Sequence, residues 1–162
     1  PYGYAYTVWA LLNAETRQPV NLEHLPGGGF GDWVDGEKKC GVAPFSRIRV
    51  RETTPVRTIK VQYSDIDINN HVNSIRYIEH MLDLFPEEMY ATHEVKRIEV
   101  AYHEEAYADE TLNLYKQPVG EDTFDIEIRK IAAPEAGETM PVPAGREQRV
   151  CASRVTFKQT ES

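Results

Sequence analysis

The chain holds 162 residues, 41% of them hydrophobic and 27% charged, enough for one packed domain or one domain with a remnant of another. Its formal net charge of −8 argues against general nucleic-acid binding, which needs a basic surface to displace counterions. No apolar run approaches the roughly 20 residues of a membrane-spanning helix, no signal-peptide pattern is present, and Cys40 and Cys151 have neither disulfide nor zinc spacing, so a reducing, cytoplasmic location is expected.

In chain order, "YAYTVWALLN" (4–13) is rich in β-branched and aromatic residues with partial alternation and reads as a strand. "AETRQPV" breaks it, with Pro19 blocking a regular continuation. Residues 26–45 hold six glycines and two prolines, the composition of a linker or surface excursion. The "GGGFGD" inside this stretch lacks the Gly-Lys-Ser/Thr ending of a phosphate loop. "SRIRVRE" (46–52) sets Arg47, Arg49 and Arg51 against Ile48 and Val50, which predicts a strand with one basic and one apolar face. "VRTIKVQY" (56–63) predicts another.

A polar cluster follows: two aspartates, three asparagines and one histidine lie within the nine positions 65–73. A helix is expected from Asn73 or Ser74 to Phe85, capped by Asn73 and ended by Pro86. Ile75, Ile78, Leu82 and Phe85 form one apolar stripe, and Tyr77, Met81 and Leu84 form a second. Only Arg76, Glu79, His80 and Asp83 make a polar face, so this helix must be surrounded on several sides. Everything after it reads as strand: 94–107, 111–119, 123–132 and, beyond a Pro/Gly-rich loop at 134–148, 149–159. The expected fold class is α+β, a curved antiparallel sheet wrapped around one central helix.

A helix N-terminus offers unpaired amide donors and the positive end of the macrodipole, which suits an oxygen that becomes anionic in a transition state. Asp67, Asn69 and His71 recur at every second position, and in an extended segment they would share one face. Aspartate and asparagine also make Asx-turns and caps, so these residues by themselves leave both readings open. His24, His80, His93 and His103 have no zinc-site spacing, and no metal or cofactor is expected.

"SDIDINNHVNSIRYIEHMLDLFP" resembles the motif of plant and bacterial acyl-ACP thioesterases, where Asp-x-Asn-x-His-Val-Asn precedes the central helix of a hot-dog domain. "VKRIEVAYHEEAYADE" is similar to the family's strand ending in Tyr, two residues and a glutamate, and "VWALLNAETRQPV" to the segment closing its first hot-dog domain. The resemblance implies tandem hot-dog domains: 1–20 the terminal strand of the first, 21–55 a linker, and 56–162 the second. Residues ahead of Pro1 would then belong to the first domain. The implied activity is hydrolysis of fatty acyl-acyl carrier protein to free fatty acid. The alternatives are a non-catalytic acyl-binding or dimerisation module, and an acyl-CoA thioesterase or dehydratase of the wider hot-dog superfamily.

Ala106 stands where many plant members carry a cysteine, so a cysteine–histidine mechanism cannot operate there. The resemblance therefore implies Glu105 as general base on a water, directly or through His71. Asn69 would position the water or the carbonyl, Asp67 would orient the group, and backbone amides around Val72, Asn73 and Ser74 would receive the oxyanion. The partner implied is acyl carrier protein with its phosphopantetheine arm, together with a second hot-dog domain or a second copy of the chain. Such carriers are acidic. Arg47, Arg49, Arg51, Arg57 and Lys60, five basic residues within 14 positions, form the candidate docking surface or, as plainly, a solvated face.

Overall fold

A computed structural model of the chain describes residues 5–13, 15–16, 18–21, 35, 37, 41–131 and 147–160. Cys40 and most of the 134–148 loop lie outside them. Two compact units are present, Pro1–Phe45 and Ser46–Ser162.

In the first unit the strand expected over 4–13 does not form among the described residues. Leu12 makes one isolated bridge to Pro19, within a tight hairpin closed by Asn13 N–H to the Gln18 carbonyl (2.9 Å) and Val20 N–H to the Leu11 carbonyl (2.8 Å). The Asn13 side chain accepts the Glu15 and Thr16 amides, which fixes the turn. β-propensity in these residues finds no longer ladder to join.

The second unit contains β1 (Arg57–Lys60), α1 (Ser74–Leu82), α2 (Glu87–Thr92), β2 (His93–Tyr102), β3 (Thr111–Gly120), β4 (Thr123–Ile131) and β5 (Glu147–Gln159). The strands form one antiparallel sheet in the order β1-β3-β4-β5-β2. β3 and β4 are joined by a tight turn after Gly120, as "GED" suggests. Alternation along β4 sends Ile126 and Ile128 to one face and Asp125 and Glu127 to the other.

The apolar face packs on α1. Tyr77 and Met81, one helical turn apart, and Phe85 just beyond the helix sink into Leu112, Leu114, Ile126, Ile128, Val155 and Phe157. Each such side chain contributes roughly 1.5–3 kcal/mol by leaving water. Phe85 packs edge-on against Phe124 and Phe157, at 5.1 and 4.8 Å between centroids. Ile78, Leu82 and Leu84 are half-buried beside this row, while Ile75 is exposed. The unit has the expected hot-dog architecture.

Several boundaries differ from expectation; the strand expected over 56–63 is confined to Arg57–Lys60. α1 stops at Leu82, and an unexpected second short helix, α2, lies between Pro86 and the start of β2. β2 ends at Tyr102, so Glu105 sits in a loop and not on a strand. Residues 46–52 are extended but make no ladder. Ile48 and Val50 are buried and the three arginines point out, as the alternation predicts. The backbone, however, is held by side chains from the sheet's polar face. Ser46 N–H donates to Glu99, Val50 N–H to Glu127 (3.0 Å) and Arg51 N–H to Gln117 (2.8 Å), while Arg129 donates to the Val50 carbonyl. The segment therefore crosses the strands as a strap, and 46–55 belongs to the same compact unit as the sheet.

Candidate active site

Residues 65–73 fold as a compact turn, not as an extended run. Ile66 and Val72 form a bridge, Asp67 N–H donates to the His71 carbonyl (3.0 Å), and Asn70 N–H to the Asp67 carbonyl (3.1 Å). Asp67 Oδ1 accepts Asn69 N–H at 2.7 Å, an Asx-turn. Asn70 takes the left-handed conformation, φ 64°, that asparagine tolerates better than most residues. The face-sharing predicted from alternation is thus replaced by proximity across a turn. Asp67 and His71 pair through their backbones, with Asn69 exposed at the tip.

The turn is fixed to α1. Asp65 is buried, its carbonyl accepting Asn73 N–H (2.8 Å) and its carboxylate accepting Gln62 N–H (2.8 Å) and facing His80 (3.5 Å). Asn73 is the N-cap, its side chain accepting Ile75 N–H at 2.9 Å, as expected. His71 is half-buried with Nδ1 3.4 Å from the Val72 carbonyl. With Nδ1 as donor, Nε2 is left to accept a proton.

Glu105 lies in the loop after β2, and that loop is bonded to the turn. Val72 N–H donates to the Ala106 carbonyl at 2.8 Å, which joins the residue after His71 to the residue after Glu105. The exposed Glu105 carboxylate accepts the Tyr107 hydroxyl at 2.7 Å. Ala106 itself is fully buried. Asp67, Asn69 and His71 therefore share one turn, and Glu105 sits on the segment bonded to it.

One part of the expected oxyanion site is corrected. The Val72 and Asn73 amides already donate to the Ala106 and Asp65 carbonyls, and the Val72 side chain belongs to the core. Of the three positions, Ser74 N–H at the start of α1 is the one with no such backbone bond among the described residues. Arg47, Arg49 and Arg51 lie on the strap, across the sheet from α1 and not within the turn. All three are exposed. Arg57 and Lys60 are already paired, with Asp83 (3.4 Å) and Asp109 (2.7 Å). Cys151 is buried, and burial pushes its thiol up to about 12, so it offers no thiolate nucleophile.

An open groove of about 490 Å³ lined by Leu82, Asp83, Phe85, Glu87 and Tyr90 sits at the far end of α1 from Asn73, away from this chemistry. Sequence reading missed Lys130, Glu110 and Tyr107, which surround Glu105. The available signal was Lys130 itself, a charge in the core-facing row of β4 after Ile126 and Ile128.

Residues 49–140 match the family described as acyl-ACP thioesterase C-terminal domain. The chain is similar to oleoyl-acyl carrier protein thioesterase of Coriandrum sativum, 38% identical over 134 residues, covering 75% of this chain and 35% of the relative. It is also similar to oleoyl-acyl carrier protein thioesterase 2 of Arabidopsis thaliana, 36% identical over 68% of this chain and 32% of the relative. Both relatives are described as chloroplastic. Among solved structures, an acyl-ACP thioesterase from Bacteroides thetaiotaomicron superposes with a TM-score of 0.74 at 40% identity, covering 91% of this chain and 53% of that one. The chain thus spans about a third of the length of these curated relatives and about half of the solved structure.

Proposed function

Because this chain belongs to the acyl-ACP thioesterase family, we propose that it hydrolyses the thioester of fatty acyl-acyl carrier protein, releasing a free fatty acid and ending chain elongation. The observation that carries the proposal is the Val72 N–H to Ala106 carbonyl bond, which ties the loop bearing Glu105 to the turn bearing Asp67, Asn69 and His71 at a helix N-terminus. In the reaction, Glu105 takes a proton from water as the water oxygen bonds to the thioester carbon. The carbonyl electron pair moves onto oxygen, opposite Ser74 N–H and the positive end of α1. Collapse restores the carbonyl and breaks the C–S bond, and the pantetheine thiolate leaves and recovers the proton. His71 relays or steadies that proton, Asn69 holds the water or the carbonyl, and Asp67 shapes the turn that carries both.

The acyl carrier protein docks through the exposed Arg47, Arg49 and Arg51. Residues 1–20 end a first hot-dog domain, and the sheet unit pairs with that domain or with a second copy of itself. A reducing, cytoplasmic setting suits the buried free thiol of Cys151.

The test is thiol release from palmitoyl- and oleoyl-carrier protein by the full-length protein, wild type and Glu105→Ala side by side. Loss of about 10²–10⁴-fold in turnover in the variant is expected for a general base. Unchanged turnover removes Glu105 from the mechanism, and no turnover by either protein overturns the enzymatic reading in favour of a binding module.

A further inference from the structure

β4 places one charge where its alternation calls for an apolar side chain. Ile126 and Ile128 are fully buried on the core face, and Lys130, next in the same row, is only 8% exposed. A buried ammonium needs partners for its donors, because an uncompensated charge is costly in such surroundings. Lys130 Nζ donates to the Glu105 carbonyl at 2.6 Å and lies 3.3 Å from each carboxylate oxygen of Glu110. Glu110 in turn accepts Tyr107 N–H at 2.9 Å and returns its own N–H to the Tyr107 carbonyl at 3.2 Å. The Tyr107 ring lies 5.5 Å from the ammonium, and its hydroxyl donates to the Glu105 carboxylate at 2.7 Å. The bonds close into a ring that grips Glu105 at both its main-chain carbonyl and its side-chain carboxylate.

We infer that Lys130 is a positioning residue for the reaction, acting through Glu110 and Tyr107 to hold the Glu105 carboxylate against the Asp65–Asn73 turn. The inference rests on the reading of Glu105 as general base. Without this brace the base would sit on an exposed loop beyond the end of β2, secured to the turn by the Val72–Ala106 bond. A general base on such a loop samples many positions, and few of them are productive. The brace ties the loop to a central strand of the sheet. The charged and titratable groups around the carboxylate are Tyr107 and Glu110 from its own loop, Lys130 from β4 and Tyr77 from α1. The Tyr107 hydroxyl favours the ionised form of Glu105, because it donates to the charge.

Three variants of the full-length protein test this on acyl-carrier protein: Lys130→Met, Lys130→Arg and Tyr107→Phe, with Glu105→Ala alongside and thermal melts for each. Lys130→Met should lower kcat about 10- to 100-fold with KM within about twofold, since misplacement and not binding is the defect. Lys130→Arg, which keeps the donors, should recover most of that loss. Tyr107→Phe should move the acidic limb of the kcat/KM profile to higher pH. If Lys130→Met does not fold, the Tyr107→Phe limb decides the matter. Loss of activity in Glu105→Ala with an unmoved limb in Tyr107→Phe and a wild-type kcat in any folded Lys130→Met overturns the brace and leaves the base intact. Full activity in Glu105→Ala overturns the reading of the base itself.

Discussion

Three of the six polar side chains between 65 and 73 accept backbone amides, and that limits what is left for chemistry. The Asp65 carboxylate takes the Gln62 amide, one Asp67 oxygen takes the Asn69 amide, and Asn73 takes the Ile75 amide. Among the described residues, the Asn69 and Asn70 side chains, His71 Nε2 and the other Asp67 oxygen are left for a ligand. Turn and site are not rival accounts of this cluster, because the spent groups hold the unspent ones in place. Asn73 allows the structural part to be measured alone. Asn73→Ala leaves the Ile75 amide uncapped and should lower stability in urea by about 1 kcal/mol, while Asn73→Ser, another good cap, should lose little of that. Equal losses in both would mean that the cap is not what Asn73 contributes.

The elements divide by the kind of partner that each one needs. β3 and β4 lie within a residue of the bounds read from sequence, since β-rich runs on either side of a "GED" turn leave little freedom. α1 and its cap were legible for the same reason, a local signal answered locally. Residues 46–52 show the converse. Their alternation predicts burial correctly, yet the partners of their amides are Glu99, Gln117 and Glu127, far away in sequence and invisible to periodicity. Lys130 was overlooked on the same ground, because its role is set by a loop 20 to 25 residues away. Those distant carboxylates can be tested. Glu127 is buried and bridges Arg129 (2.9 Å), Arg149 (3.0 Å) and the Val50 amide, so Glu127→Ala should cost about 3–5 kcal/mol in chemical denaturation. At Glu99, burial alone would raise the carboxyl. The Ser46 N–H and the Arg97 guanidinium overcome that and hold it below its ordinary value. Its ionised form therefore favours the folded state at pH values above about 4.3, and that contribution is lost as pH falls through the folded value. Glu99→Gln should be the less stable protein near neutrality, with the gap to wild type closing in acid. A gap that stays constant with pH would exclude Glu99 as the source.

At the scale of the chain, its charge bears on the docking proposed for the strap. With a net charge of −8 the chain would repel the proposed acidic carrier at long range, so that encounter would depend on a local concentration of positive charge. Arg57 and Lys60 are partly neutralised by Asp83 and Asp109, whereas Arg47, Arg49 and Arg51 stand exposed on a segment whose alternate residues, Ile48 and Val50, are buried. Burial of those two residues keeps three guanidinium groups on one side, which a free linker would not do. Exposed charges of this kind act on encounter and carrier affinity more than on the chemical step. Replacing all three with serine should therefore raise KM for acyl-carrier protein about tenfold with kcat within about twofold. Salt should raise the wild-type KM steeply and the variant KM little, as expected when screening removes the same interaction that the substitutions remove. An acyl-pantetheine thioester without the carrier supplies the internal control, since its KM should be alike for both proteins. If the carrier KM does not move, the three arginines are a solvated face and docking lies elsewhere. If both substrates suffer equally, the substitutions have disturbed the strap's packing on the sheet, and a melt lowered to the same degree would show it.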